Sequence, residues 1–405
     1  MEQQPQNPPG LYRISDINNP GQNVDKPTRY YGEHAHVRND SRSIWELRKN
    51  LQTLLNFPKS GFPGAQPVSF LRRHIEELRR EDYYVCEKSD GVRYLLWLTE
   101  DDHGGECQYL INRKNEYFHI NETRLHFPLP PPEEDKAKFH KDTIVDGELV
   151  LDDVGGGRKE PVFLVFDCLV IDGMSLVERT LDKRLGYFKE RVFKPYKELF
   201  REYPDEQQFQ AFRVELKDMQ VSYGLEMMFR QVLPKLRHGN DGLIFTCRNS
   251  SYVFGTDDHI VKWKPPEENT IDFKLALTFP RVEPDPEVDG PDAEPYEDYD
   301  SIPTAQLLAW AGKGNPARLF GDLYLTQEEW EALKKLNEPL HGRVVECGQD
   351  EQKRWRLHRF RDDKENGNFI KVMGNVMESI RDGVSEKELI DASKGIRDSW
   401  KQRAR

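Results

Sequence analysis

Apolar residues along this chain follow two periodicities, and the switches between them mark its organisation. Between residues 41 and 80 they recur at helical spacing: Trp45, Leu47, Leu51, Leu54 and Leu55 approximate one face, and Leu71, Ile75 and Leu78 another. Two amphipathic helices are expected there. From residue 83 the pattern shortens to strands, at Tyr83–Cys86, Val92–Leu98, Gln108–Asn112, Tyr117–Ile120, Ile144–Leu151 and Val162–Val170, with Gly and Asp clusters between them. Gly155-Gly156-Gly157 predicts a hairpin turn. Residues 179–236 read as charged and helical, and strands return at Gly242–Thr246 and His259–Lys264.

A further strand-like run, Thr270–Phe279, precedes a Pro/Asp/Glu-rich segment, 281–303, expected to be an exposed, mobile loop inside a second domain. Thr326-Gln-Glu-Glu329 is a capping box that starts a helix through Leu336. Arg343–Glu346 and Trp355–Arg361 then read as strands. Two terminal helices close the chain: Phe369–Ile380, with Val372, Met373, Val376 and Met377 on one face, and one beginning Ser385-Glu-Lys-Glu388. Residues 1–40, rich in Pro, Asn, Gln and Gly, predict an extended or partly disordered arm.

Composition narrows the class. The chain has 405 residues, 37% hydrophobic, with 21 Phe, 16 Tyr and 7 Trp, enough for two or three domains with substantial cores. No run is apolar enough to span a membrane, and the start lacks the basic and apolar regions of a signal peptide, so a soluble intracellular protein with no membrane partner is expected. Five widely spaced cysteines offer no zinc spacing and read as reduced thiols. A net charge of −12 excludes a general polyanion binder but leaves an enzyme that meets nucleic acid at a local basic surface. Residues 281–300 hold nine acids and one base, whereas residues 353–364 are basic with an aromatic interleaved and read equally as a solvated strand face. Gly312-Lys313-Gly314 lacks the spacing of a phosphate loop.

Candidate chemistry centres on Lys88, in the run Glu87-Lys88-Ser89-Asp90-Gly91-Val92-Arg93. Taken singly, it is a lysine at a turn and would be solvated. The charged motifs downstream of it change that reading. Asp146-Gly147-Glu148 sets two acids inside an apolar strand, Phe166-Asp167 puts another beside an aromatic, and Asp241-Gly242 repeats the Asp-Gly-apolar form. Lys262 and Lys264 are two residues apart and are expected on one face of a strand. Charges on buried strands are costly unless they are paired, bind metal or face a ligand, so the set points to a lined cleft. Each pair alone is as well read as a structural ion pair.

In this order the motifs resemble the covalent nucleotidyltransferase superfamily of mRNA capping guanylyltransferases and ATP-dependent nucleic-acid ligases: Lys88–Arg93, Asp146–Val150, Val165–Val170, Asp241–Phe245, Val261–Lys264 and Arg361-Asp362-Asp363-Lys364. The last motif, the run from Trp263 to Phe273 and residues 361–368 resemble fungal capping-enzyme guanylyltransferases more than ligases. The resemblance implies an α+β fold: an ATP-grasp-like nucleotidyltransferase domain of antiparallel sheets with helices over 41–268, an OB-fold β-barrel over 269–368 and helices over 369–405.

It further implies two steps. Enzyme and GTP give lysyl-GMP on Lys88 and pyrophosphate; GMP then passes to a 5′-diphosphate RNA end to make the cap. An amine attacks phosphorus only when unprotonated, a form that the neighbouring cations Lys262 and Lys264 favour while neutralising the α-phosphate. Glu148 and Asp241 are the implied ligands of Mg or Mn or of the ribose. Arg93 and Arg113 match ribose contacts, Phe166 the residue that stacks on the base, and Arg361, Asp363 and Lys364 the groups that orient the β- and γ-phosphates. Implied partners are a separate RNA 5′-triphosphatase subunit and the phosphorylated tail of RNA polymerase II, and the implied location is the nucleus. Two rivals stay open: an ATP-dependent RNA or DNA ligase using the same lysine, and a non-catalytic RNA-binding relative.

Overall fold

The computed structural model describes residues 11–13, 41–120, 125–284, 294–350 and 352–404. Its elements run β1 (Leu11–Arg13), α1 (Ser41–Leu55), β2 (Ala65–Ser69), α2 (Arg73–Arg80), β3 (Tyr83–Ser89), β4 (Val92–Glu100), β5 (Glu106–Asn112), β6 (Tyr117–Ile120), β7 (Thr143–Gly155), β8 (Arg158–Ile171) and β9 (Met174–Ser175). Next come α3 (Leu181–Phe188), α4 (Lys194–Glu202), β10 (Arg213–Leu216), β11 (Gln220–Val221), α5 (Leu225–Met227), β12 (Asn240–Cys247) and β13 (Gly255–Trp263). The remainder is β14 (Ile271–Thr278), β15 (Arg281–Val282), β16 (Tyr296–Glu297), β17 (Thr304–Ala309), β18 (Arg318–Asp322), α6 (Gln327–Lys334), β19 (Val344–Gln349), β20 (Trp355–Phe360), α7 (Ile370–Arg381) and α8 (Glu386–Arg403). The chain divides into two compact units, residues 1–68, 75–263 and 389–405 in the first and 69–74 and 264–388 in the second.

The first unit holds two sheets. One runs β1-β6-β5-β4-β7-β8-β10 with β9 on β8; the other runs β11-β3-β12-β13-β2. β4 shows why its sequence is almost continuously apolar. Leu95 and Trp97 pack with Leu51 and Leu55 of α1, while Tyr94, Leu96 and Leu98 join a second core with Phe188 and Tyr196. Both faces are covered, so alternation disappears, and each fully buried side chain of this size contributes roughly 1.5–3 kcal/mol. The turn at Gly155–Gly157 joins β7 to β8 as the pattern anticipates. Trp400 of α8 packs against Tyr84 and Tyr223.

The second unit is built on one sheet ordered β18-β17-β14-β19-β20. Its outer strands meet where Leu323, just past β18, bridges in parallel to Trp355 of β20. Counted within the unit the order is 3-2-1-4-5, with strand 3 returning to strand 5 and a helix between strands 3 and 4. This is the Greek-key barrel of an OB fold. Phe273, Leu307, Trp330, Val345 and Trp355 fill it. The Thr326–Glu329 capping box forms in full at α6, and Ser385 and Glu388 cap α8 reciprocally.

Several expectations need correction. Residues 179–236 are not all helical: β10 lies within them, parallel to β8, because Val214 joins the core of the larger sheet. β2, β17 and β18 were not anticipated, being short or weakly alternating. β13 ends at Trp263, so Lys264 lies past the strand face expected to carry it with Lys262. Trp45 is 59% exposed and carries Lys49 over its ring at 4.9 Å, instead of facing the core with Leu51. On α7, Val372 points to solvent while Met373 is buried. β15 and β16 pair as a short hairpin at the two ends of the acidic segment; its residues 285–293 lie outside the described residues. So does the N-terminal arm apart from β1, which pairs with β6. All five cysteines are buried thiols, none of them in a disulfide. Among the described residues no helix is long and apolar enough to cross a membrane.

Candidate active site

Lys88 occupies the penultimate position of β3, where that strand meets β12. Ser89 pairs with Asn240 and Glu87 with Leu243, so Asp241 and Gly242 together face the single residue Lys88. Such a bulge re-aims a side chain. It brings the Asp241 carboxylate onto the Lys88 amine, which donates to it. The two side chains are 24% and 28% exposed, so the pair stays open to solvent. The turn after Lys88 is fixed by Asp90, whose N–H donates to the Gly239 carbonyl at 2.8 Å. Gly91 then passes tight against β7: a β-carbon there would lie 2.6 Å from the Leu149 carbonyl oxygen and 2.8 Å from the Glu148 side chain. This is the physical reason for glycine in Lys-x-Asp-Gly.

Lys262 reaches the same sheet face by register. It pairs with Ile244, which pairs with Cys86, two residues before Lys88. Lys264 begins the second unit.

Arg93 is buried. Its guanidinium forks onto Asp146, Nε to Oδ1 at 2.9 Å and Nη2 to Oδ2 at 2.6 Å, and also donates to the Ala65 carbonyl and to Tyr252. Four of its five N–H groups are thereby engaged, so at most one is left for a ribose. Burial opposes its charge, but Asp146 prevails and holds its pKa above the ordinary value. Phe166 is the extra residue of a bulge between β7 and β8, since Gly147 pairs with Val165 while Asp146 pairs with Asp167. Its ring lies under Arg93 at 5.4 Å and Lys217 at 5.9 Å. Arg113 stays at the surface. Loss of water around its head and repulsion from Arg93 lower its pKa.

Sequence reasoning missed Lys217. It follows β10, the strand hidden in a stretch read as helical, and its side chain is 3% exposed. The amine donates to Ser89 Oγ at 2.7 Å and lies 3.5 Å from Glu87 and 3.6 Å from Glu148. Burial lowers its pKa, but the surrounding acidic groups, Glu87 and Glu148 among them, outweigh that and keep it charged. His238 was missed as well. Burial disfavours its imidazolium, yet the hydrogen bond to Asp152 and the Glu87 carboxylate 3.8 Å from its Nε2 push its pKa up to about 9. Its Nδ1 lies 2.8 Å from Asp152. Asp167, flagged with Phe166, instead forks with Arg184 at 2.7 and 2.8 Å in the protein interior.

In the second unit Arg361, Asp363 and Lys364 do come together. Arg361 forks onto Asp363, both contacts at 2.9 Å, and its remaining arm lies 3.4 Å from Asp272 and 3.2 Å from Glu346. Lys364 donates to Asp272. The hydrogen bond from Arg361 holds Asp363 down at about 2.

Among the described residues no three His, Cys, Asp or Glu side chains converge as a metal cage. Glu148 and Asp241 are partly exposed carboxylates, each beside a lysine amine. That donor set fits a magnesium-like ion, which takes one or two carboxylates and completes its shell with water and phosphate oxygens.

Residues 33–266 match the family described as mRNA capping enzyme, catalytic domain, and residues 268–390 match the mRNA capping enzyme, C-terminal domain. The chain belongs to the mRNA capping enzyme family. It is 54% identical over 367 residues to the mRNA-capping enzyme subunit alpha of Neurospora crassa, covering 88% of this chain and 90% of that protein. The subunit alpha of Schizosaccharomyces pombe is 43% identical, covering 88% and 86%. That of Saccharomyces cerevisiae is 37% identical, covering 88% and 84%. Membership makes the chain a capping nucleotidyltransferase, and the ligase alternative recedes.

Proposed function

We propose that the chain is the mRNA guanylyltransferase and that Lys88 carries the guanylate. The observation that supports this most is the Lys88 amine at a bulged strand end, partly exposed and held by one carboxylate. In the first step the Lys88 nitrogen attacks the α-phosphorus of GTP, the bond from that phosphorus to the bridging oxygen breaks, and pyrophosphate leaves. In the second, a terminal oxygen of the RNA 5′-diphosphate attacks the same phosphorus, the P–N bond breaks, and the amine regains its proton. The product is a 5′–5′ triphosphate cap.

Lys262 neutralises charge at the α-phosphate from the face it shares with Lys88, and Lys264 adds to this. Arg361, Asp363 and Lys364 serve the β- and γ-phosphates and so act in the first step only. Phe166 offers its ring to the purine, and Arg93 and Arg113 serve the ribose. Lys217, a buried donor beside that ring, favours guanine, whose C6 oxygen accepts, over adenine, whose C6 amine donates. Glu148 and Asp241 would hold Mg or Mn, which supplies charge neutralisation at the phosphates. The subunit-alpha names of the relatives support a partner subunit, which we read as a separate RNA 5′-triphosphatase. The phosphorylated tail of RNA polymerase II as a second partner and a nuclear location follow from the same reading.

The test is incubation with α-phosphate-labelled GTP or ATP and a divalent cation, followed by mapping of the modified peptide. An acid-labile guanylate on the peptide containing Lys88 is expected. Labelling by ATP in preference to GTP would return the ligase reading, and a label that survives Lys88→Ala would remove Lys88 as nucleophile.

A further inference from the structure

Asp272 is not among the groups assigned to nucleotide, yet the segment that carries Arg361, Asp363 and Lys364 is wrapped around it. It sits second in β14, with its side chain 7% exposed. Its carboxylate takes Lys364 on Oδ2 and lies 3.4 Å from Nη1 of Arg361 through both oxygens. Its backbone holds the far end of the same segment: the Asp272 N–H donates to Asn368 Oδ1 at 2.7 Å, and the Asn368 N–H returns to the Asp272 carbonyl at 2.7 Å. Gly367 makes this return possible, because a β-carbon there would lie 2.6 Å from that carbonyl oxygen. The near end is pinned by the Arg361 N–H on the Val344 carbonyl at 2.8 Å. Glu346, which pairs with Asp272 across the sheet, lies 3.2 Å from Arg361 and also accepts from Arg359 and Thr270, so of the two cations it assists only Arg361.

One buried carboxylate therefore orients two cations that sequence spacing sets three residues apart. Without its charge, Lys364 has a long flexible stem and three rotatable donors, whereas Arg361 keeps Asp363 and Glu346. We propose that Asp272 is a positioning residue for the first step, holding Lys364 and Arg361 in the arrangement that meets the leaving pyrophosphate. This rests on the phosphate role proposed for those two cations. Asp272 itself touches no substrate. It acts by cutting the entropy lost when the phosphates arrive.

The test compares full-length wild type, Asp272→Asn, Asp272→Glu, Glu346→Gln and Arg361→Ala/Lys364→Ala, with Asp272→Asn also placed in that last background. Labelling by α-phosphate-labelled GTP at saturation reads the first step. Transfer from purified enzyme–guanylate to diphosphate-ended RNA reads the second. Asparagine keeps both backbone bonds to Asn368, so the thermal transition should be retained. Asp272→Asn is expected to slow labelling at least about tenfold while leaving transfer within about twofold. Glutamate should recover part of the loss, Glu346→Gln should cost less, and in the Arg361→Ala/Lys364→Ala background Asp272→Asn should add about twofold or less. Wild-type labelling rates in Asp272→Asn, equal loss of both steps, full additivity, or loss of the folded transition would each overturn the positioning role. If wild type itself takes no label from GTP, the parent reading has failed, which is a separate result.

Discussion

The interior of the first unit and its solvent-facing edge use ion pairs in opposite ways. Inside, Arg184 and Asp167 fork onto each other at 2% and 5% exposure, and Arg93 forks onto Asp146, which is fully buried. Tyr252 tightens the second pair by donating to Asp146 Oδ2 at 2.6 Å. Each of these cations makes several contacts, and removing any partner strands a buried charge. At the edge, Lys88 and Asp241 share one contact and keep about a quarter of their surface in water. Such a pair can exchange partners, because water and ions replace what is lost. The nucleophilic role proposed for Lys88 needs the second arrangement, and the scaffold that aims it needs the first.

The most severe test of that contrast is Lys88→Ala. Covalent labelling should vanish while thermal stability stays near wild type, since a partly exposed pair contributes little, about 0–1 kcal/mol. A large loss of stability would erase the distinction. Arg184→Ala should do the reverse at the level of the fold, costing about 3–5 kcal/mol in denaturant unfolding because Asp167 is left buried and unpaired. Arg361→Ala and Lys364→Ala sit between. Each should slow labelling about hundredfold and spare transfer from preformed enzyme–guanylate, and equal loss of both steps would deny them a role confined to pyrophosphate.

His238 gives a smaller, pH-dependent reading. Its pKa is raised to about 9 from an ordinary 6.5, so the stability it contributes is complete below about pH 6.5 and fades as pH rises through 9. His238→Asn should therefore lose on the order of 2 kcal/mol at pH 6 and much less at pH 10, read by denaturant titration at both. A deficit independent of pH would assign the histidine to packing alone. The least effect belongs to Glu388→Ala, whose carboxylate meets Arg72 and caps α8 at an exposed site. About 1 kcal/mol is expected from the thermal midpoint.

Much of the fold was legible in the chain. The shift from helical spacing to short strands located β3 to β8 within a few residues, and the capping box at Thr326 started α6 where it should. The failures share a cause. β10, β17 and β18 are short strands whose side chains are polar on one side or lack strict alternation, so their strand character comes from neighbours already in place. Trp45 follows the helical period yet is 59% exposed, with the Lys49 amine over its ring.

What the chain determined by itself is its family: the order of charged motifs from Lys88 to Lys364 marks a capping nucleotidyltransferase and offers the candidate nucleophile and cations. Order along the chain cannot say which charges are spent on each other. Only the folded protein showed Arg93 committed to Asp146, Lys217 just past an unanticipated strand and over the Phe166 ring, Lys264 past the strand that holds Lys262, and Lys364 gathered with Arg361 on Asp272. Those assignments depend on burial, bulges and register. Apart from the end of β13, they join residues from roughly 50 to 90 positions apart, and sequence periodicity carries no information over that range.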